Sequence, residues 1–158
     1  MTPARRPALF LVALVALDQL TKSWAVASLS DGRVVHVLWT LQFALGFNSG
    51  IAFSQAQGMG VLVAIVALVA VAFLVRAMVR SHDPLPAIAY AMVAAGALGN
   101  VCDRVFRGDG FLDGHVVDFI DLQWFPSFNV ADAAITVGVV LLIGAMLTGR
   151  HDAGRGTP

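Results

Sequence analysis

The chain is organised as long apolar stretches separated by polar punctuation. Four stretches, roughly residues 7–29, 58–79, 85–106 and 128–148, stay mostly apolar for the about 20 residues that an α-helix needs to cross a hydrocarbon core of about 30 Å. The pattern predicts four spanning helices. The second is uncharged from Gly58 to Val75 and reads as a lipid-facing anchor without chemistry of its own. The third, "LPAIAYAMVAAGALGNVCDRVF", is crowded with Ala and Gly, including Ala94, Ala95, Gly96 and Gly99. Small residues let helix backbones approach closely in lipid, so this helix is expected at the centre of the bundle. Residues 1–6 and 149–158 are tails, the segment Val79 to Pro84 is a tight turn, and residues 30–57 and 107–127 are longer connections.

The periodicity changes within those connections. "VVHVLWTLQFALGF" puts Val35, Val37, Trp39, Leu41, Phe43, Leu45 and Phe47 on alternate positions, a strand period and not a helical one. An amphipathic strand bearing Trp39 suits either the headgroup level, where aromatic rings collect, or a simple structural hairpin. "FNSGIAF" follows, with Asn48 and Gly50 marking a turn that admits close backbone approach. The second connection opens with Gly-rich turns and becomes extended and apolar around Asp118.

Composition fixes the class. The chain is 58% hydrophobic and 13% charged, with a mean hydropathy of +0.80, against roughly 25% charged residues in soluble domains. An all-α membrane protein is expected: a four-transmembrane-helix bundle with small extracytoplasmic β and loop elements, forming one domain over residues 1–158. Formal net charge is zero, which gives no electrostatic reason for a nucleic-acid partner. Arg5, Arg6, Arg76, Arg80, Arg150 and Arg155 flank one membrane face, against Arg33, Arg104 and Arg107 on the other. The positive-inside bias then puts both termini in the cytoplasm and the two long connections outside. "ARRPALFLVALVAL" followed by "AVA" also resembles a cleavable signal peptide; Asp18 and Lys22 interrupt that pattern, and a retained helix is the preferred reading.

Cys102 is the sole cysteine, and the four histidines are scattered, with His36, His82 and His115 read as bystanders; no zinc spacing and no Gly-Lys-Ser/Thr phosphate loop occurs. No metal or other cofactor is expected. The informative polar residues are carboxylates near apolar ground. Asp18 and Lys22, four apart, share a helix face and can pair, easing the burial of each. Asp132 stands in the first turns of the fourth helix, where Asn129 three residues earlier makes a capping arrangement an equally good explanation. Asn100, Asp103 and Arg104 close the third helix; Arg104 suits the C-terminal dipole, whereas Asp103 opposes it and needs a partner. Asp121 reads as a solvated or interfacial charge. If the two outer connections fold over the bundle mouth, Asp118 can face Asp132. Two carboxylates in a poorly solvated pocket cannot both ionise, and such a pair can activate water for peptide hydrolysis.

Five ordered blocks resemble the lipoprotein signal peptidase (signal peptidase II) family: "DQLTK" at Asp18 to Lys22, "FNSGIAF" at Phe47 to Phe53, "GNVCDR" at Gly99 to Arg104, "VVDFID" at Val116 to Asp121, and "FNVADAAI" at Phe128 to Ile135. The resemblance covers essentially residues 8–148. The resemblance implies an aspartic endopeptidase of the bacterial cytoplasmic (inner) membrane, acting near its outer face. Its substrates would be prolipoproteins, cut on the amino side of a diacylglyceryl-modified cysteine. It puts the catalytic pair on Asp118 and Asp132. Substrate-binding or supporting roles fall on Asn48, Gly50, Asn100, Asp103, Arg104 and Asn129, with Asp18 and Lys22 as a structural polar pair. A monomer in contact with membrane lipid is expected. The chain departs from compact family members in its longer "VFRGDGFLDGH", which leaves the roles of Asp109 and Asp113 open.

Three other classes fit parts of the pattern. A proton-coupled transporter needs carboxylates near the midplane, where only Asp18 lies, next to Lys22. A Ser/Lys peptidase needs Lys22 beside Ser49 or Ser54, and a noncatalytic scaffold leaves the outer carboxylates unexplained.

Overall fold

In the computed structural model, residues 5–49, 59–108, 110, 112 and 114–153 are described. The element order is α1 (Arg5–Leu29), β1 (Val35–Leu38), β2 (Leu41–Asn48), α2 (Met59–Arg80), α3 (Pro84–Phe106), β3 (Val116–Asp121) and α4 (Val130–Ala153). Four helices are long and apolar enough to cross a membrane. Helices answer the absence of water in lipid because each satisfies its own backbone N–H and C=O groups.

The bundle is apolar outside and polar within. On α1, Leu9, Val12, Leu17 and Leu20 are exposed, while Asp18, Lys22, Ala25 and Leu29 are buried. A water-soluble helix shows the reverse arrangement, so α1 is built for a hydrocarbon solvent. α2 likewise exposes Leu62, Val66, Val69 and Phe73. α3 buries Ala87, Ala89, Ala91, Ala94, Ala95, Gly96 and Gly99 and packs against α1, α2 and α4. Its glycines are sites of contact. A Cβ on Gly96 would strike the backbone oxygen of Ala131 and, at 2.7 Å, Cγ1 of Ile135; one on Gly99 would sit 2.5 Å from Oδ2 of Asp18. α3 and α4 therefore touch backbone to backbone, where α4 begins.

The strand-period segment folds as a hairpin. β1 and β2 pair antiparallel with Val35 opposite Phe43 and Leu38 opposite Leu41, and the turn falls at Trp39, whose φ is 51°. β3 completes a three-stranded antiparallel sheet in the order β1-β2-β3, with Gly46 opposite Asp118 and Asn48 opposite Val116. Val117 and Phe119 are buried against Ala25 and Leu29 at the end of α1, with Phe43 and Leu45 packed alongside. Trp24 meets the rings of Phe43 and Phe119 edge-on at 5.5 and 6.1 Å. After β3 the chain turns back: Ile120 and Phe128 exchange backbone hydrogen bonds of 2.9 and 3.0 Å. That return delivers Asn129 and the first turn of α4 beside Asp118.

Gly96→Ala is expected to force α3 and α4 apart and lower stability by about 1–3 kcal/mol, the usual range for overpacking. Gly144, where a Cβ meets nothing within 4 Å, is the control. Gly144→Ala should leave the unfolding temperature in detergent unchanged or raise it, while Gly96→Ala lowers it.

Candidate active site

Lys22 is the hub of the polar interior. It is fully buried, and its Nζ lies 2.9 Å from Asp18 Oδ2, 2.9 Å from Asp103 Oδ2 and 2.9 Å from Asn100 Oδ1. An ammonium has three donors, and all three are used. The arrangement leaves no lone pair free to attack a substrate and no room for the pairing with Ser49 that a Ser/Lys peptidase needs; Ser54 lies outside the described residues. The Lys22–Asp18 contact is the i,i+4 pair read from the sequence, and Asp103 has found the partner that its place at a helix C-terminus demands.

Each carboxylate of the hub also holds backbone. Asp18 Oδ1 accepts the amide of Ala131 at 2.9 Å, satisfying one of the N-terminal donors that α4 cannot pair internally. Asp103 Oδ2 accepts the amide of Val117 at 3.0 Å, fixing β3 one residue before Asp118. Arg107 reaches back to Asp103 Oδ1 at 3.0 Å. Gln19 is a further polar partner that the sequence pattern does not single out. Its Nε2 lies within hydrogen-bond reach of Asp18 Oδ2, the carbonyl of Gly99 and Asp103 Oδ1, at 3.2, 3.0 and 3.1 Å. Its adjacency to Asp18 on a helix with few polar residues was the available signal.

Above the hub lie the two outer carboxylates. Asp118 is 4% exposed. Its Oδ1 accepts Asn129 Nδ2 at 2.7 Å and its Oδ2 accepts Asn48 Nδ2 at 3.1 Å. Asp132 Oδ1 accepts Asn100 Nδ2 at 2.8 Å. Asn129 and Asp132 form a reciprocal cap: the Asp132 amide donates to Asn129 Oδ1 at 3.0 Å, and the Asn129 amide donates to Asp132 Oδ2 at 3.2 Å. Asn129 thus caps α4 and binds Asp118 with the same side chain, so capping and pairing coexist. A chain of contacts runs from Lys22 to Asn100 Oδ1 and from Asn100 Nδ2 to Asp132. Lys22 fixes which way the Asn100 amide points.

Burial pushes the Asp118 carboxyl above its ordinary range. The amides of Asn48 and Asn129 pull it back down, and the neighbouring charge of Asp132 adds to the rise. A carboxyl with a raised folded value binds its proton more tightly folded than unfolded. Its ionisation therefore lowers stability as pH climbs from the unfolded value through the raised one.

A cavity of about 300 Å³ opens beside Asp132. Asn48, Asn100, Arg104 and Asp132 form its polar side; Ala64, Ala67, Ala97, Val101 and Ile135 are among its apolar lining. α2 therefore supplies part of the wall, which corrects its expected role as an anchor alone: its small alanines leave the space. Arg104 is 5% exposed, and among the described residues its side chain makes no hydrogen bond. Gly50, Asp109 and Asp113 lie outside the described residues. Asp121 is away from this cluster, accepting Gln42 Nε2 and the Gln123 amide, each at 2.7 Å.

A sequence profile described as Signal peptidase (SPase) II matches residues 10–148. A lipoprotein signal peptidase of Rhodococcus jostii (strain RHA1) is 41% identical over 157 residues, covering 98% of this chain and 79% of that protein. Another, of Bifidobacterium longum (strain DJO10A), is 41% identical over 138 residues, covering 87% and 75%. A bacterial membrane enzyme solved by the in meso method at 2.3 Å superposes with a TM-score of 0.80 at 29% identity, covering 97% of this chain and 94% of that one. A second, at 1.9 Å, gives 0.79 at 32% identity, covering 90% and 92%.

Lys22→Met should destabilise the bundle by about 3–5 kcal/mol, because it leaves two buried carboxylates without their shared cation. Thermal unfolding in detergent reads this directly. Adding Asp18→Asn to Lys22→Met removes the charge left without a cation, since Asp103 keeps Arg107, and should recover part of the loss; no recovery would mean that Lys22 acts through packing alone.

Proposed function

The chain belongs to the signal peptidase II family, and we propose that it removes signal peptides from bacterial prolipoproteins with Asp118 and Asp132 as an aspartic dyad. The observation that carries the reading is the convergence of both carboxylates on Asn129, which binds Asp118 through its side chain and Asp132 through its amide. In this reading the bond cut lies on the amino side of a diacylglyceryl-modified cysteine. Acyl chains kept in the bilayer would hold that bond at headgroup depth, where the outer end of α4 is assigned by the charge asymmetry of the flanks. Both termini then lie in the cytoplasm of a bacterial inner-membrane protein, and the enzyme acts as a monomer.

The dyad holds one proton between two coupled carboxyls. A water molecule between them gives its proton to the ionised partner as its oxygen attacks the scissile carbonyl carbon. The protonated partner hydrogen-bonds the carbonyl oxygen as negative charge develops there. Collapse of the tetrahedral intermediate breaks the C–N bond, and the departing amine of the cysteine takes up a proton from the dyad. Acid–base help of this kind contributes about 10² to 10⁴ in rate. Arg104, lining the cavity with a guanidinium that makes no hydrogen bond among the described residues, donates to a substrate carbonyl; Asn48 and Asn129 orient Asp118, and Asn100 orients Asp132. Lys22 and Asp103 are positioning residues that act through Asn100 and the backbone of β3, and Asp18 acts on the first turn of α4.

Asp118→Asn and Asp132→Asn should each lower cleavage of a diacylglyceryl-modified prolipoprotein by at least about 10², with insertion and thermal stability retained. Turnover near the wild-type rate by either inserted variant would eliminate the dyad. The same peptide without its lipid should be cleaved far more slowly. Asn48→Ala removes a donor that favours ionised Asp118. The alkaline limb of kcat/KM should therefore move to higher pH; a shift to lower pH would contradict the role given to Asn48.

A further inference from the structure

The aromatic end of the sheet is not used by the site. The β1–β2 turn and the chain leaving β3 lie at the same end, because Leu38 pairs with Leu41 there and Gln42 pairs with Asp121. Gln123 Nε2 meets Gln42 Oε1 at 3.3 Å across that end. Two aromatic projections stand out from it. Trp39 is 93% exposed beside Leu38, and Trp124 is exposed in edge contact with Phe125 at 5.9 Å. Exposed indoles beside exposed leucine are costly in water and suited to an interface that is apolar on one side and wet on the other.

The surface beneath says which interface. Leu17, Leu20 and Trp24 fall on one face of α1, a spanning helix, and are exposed on its lipid side. Trp24 contacts Phe43, and Phe43 pairs with Val35 of the edge strand, itself exposed. The exposed apolar face of α1 is therefore joined through Trp24 and Phe43 to β1 and β2, which lead out towards Leu38 and Trp39. On the alternate register positions, His36 pairs with Gln42 and Gln42 with Asp121, a polar row suited to water. The sheet is amphipathic, and its apolar face is an extension of the membrane-facing surface of α1.

We propose that this end of the sheet docks into the outer leaflet of the lipid bilayer, with Leu38 and Trp39 inserted at headgroup depth and Trp124 and Phe125 beside them. The occupant is phospholipid, argued from continuity with a membrane-spanning face. Docking there would pin β2 and β3, and with them Asp118, at a fixed depth relative to the bilayer surface. The proposal stands on exposure and register and does not depend on the peptidase reading.

The test uses the full chain in phosphatidylcholine vesicles, with Trp24→Phe and Trp124→Phe leaving Trp39 as the only indole. Its emission is expected to be blue-shifted, shielded from aqueous iodide, and quenched by acyl chains brominated near the headgroup. Full access to iodide without quenching by brominated lipid would overturn the proposal. So would shielding from iodide without lipid quenching, since a second copy or another protein would then be the cover. Leu38→Asp in the same background separates docking from folding. It should abolish most of the lipid quenching while the circular dichroism spectrum and the unfolding temperature stay unchanged; undiminished quenching would also overturn the proposal.

Discussion

One buried ammonium holds this molecule together. Lys22 sits in the bundle with no exposed surface, and its three donors bind three acceptors on α1 and α3, each at 2.9 Å. Nothing apolar could replace it without leaving Asp18 with no cation and Asp103 with Arg107 alone, and those two carboxylates bind amides of α4 and β3. The ammonium thus fixes, at one remove, both elements that carry the outer aspartates. The cost of burying it is offset only because every donor is satisfied and two opposite charges lie in contact.

That arrangement explains how a helical bundle gathers polar groups at its end. Spanning helices need apolar exteriors, and here the large side chains exposed along the middle of α1 and α2 are apolar, among them Leu9, Val12, Leu17 and Leu20 on α1 and Leu62, Val66, Val69 and Phe73 on α2. Polar groups are therefore driven inward, towards the wall where α3 meets α4 through Gly96 and Gly99. Close helix contact brings the Asp18 carboxylate to the first turn of α4. The same turn is capped by Asn129 and Asp132, so one short segment closes a helix and presents a carboxylate to the cavity. Helix capping and cavity lining are superposed in this segment because a membrane protein of this size has few places for polar atoms.

Much of this was legible from the order of residues, and the limits have physical causes. The four spans follow from apolar length alone, with ends displaced by a few residues because caps and fraying, not hydropathy, set the termini. The Asp18–Lys22 pair was readable because i,i+4 spacing is a local rule. Its junction with Asp103 and Asn100 was not, since nothing local links α1 to α3. The alternating segment from Val34 to Phe47 gave strand character but not its reversal at Trp39, a residue that seldom takes a positive φ. α2 read as featureless because its contribution is the smallness of Ala64 and Ala67, which leaves a cavity and puts no reactive group there. Folding the outer connections over the bundle mouth allowed Asp118 to face Asp132, and the family resemblance singled the two out as a pair. The capping pattern alone could not separate a helix cap from a reactive carboxylate, and in the structure Asp132 both caps α4 and lines the cavity.

The central proposal is that Asp118 and Asp132 act as one unit, in which one carboxyl carries a proton while the other is ionised. Infrared spectroscopy of the carboxyl stretch, on protein with isotopically labelled aspartate and titrated in membranes, addresses it without substrate. A protonated-carboxyl band that persists at neutral pH, and that disappears in both Asp118→Asn and Asp132→Asn, is the expected result. A spectrum in which both carboxyls are fully ionised at neutral pH, or a band that survives in either variant, would contradict the shared proton and the mechanism built on it.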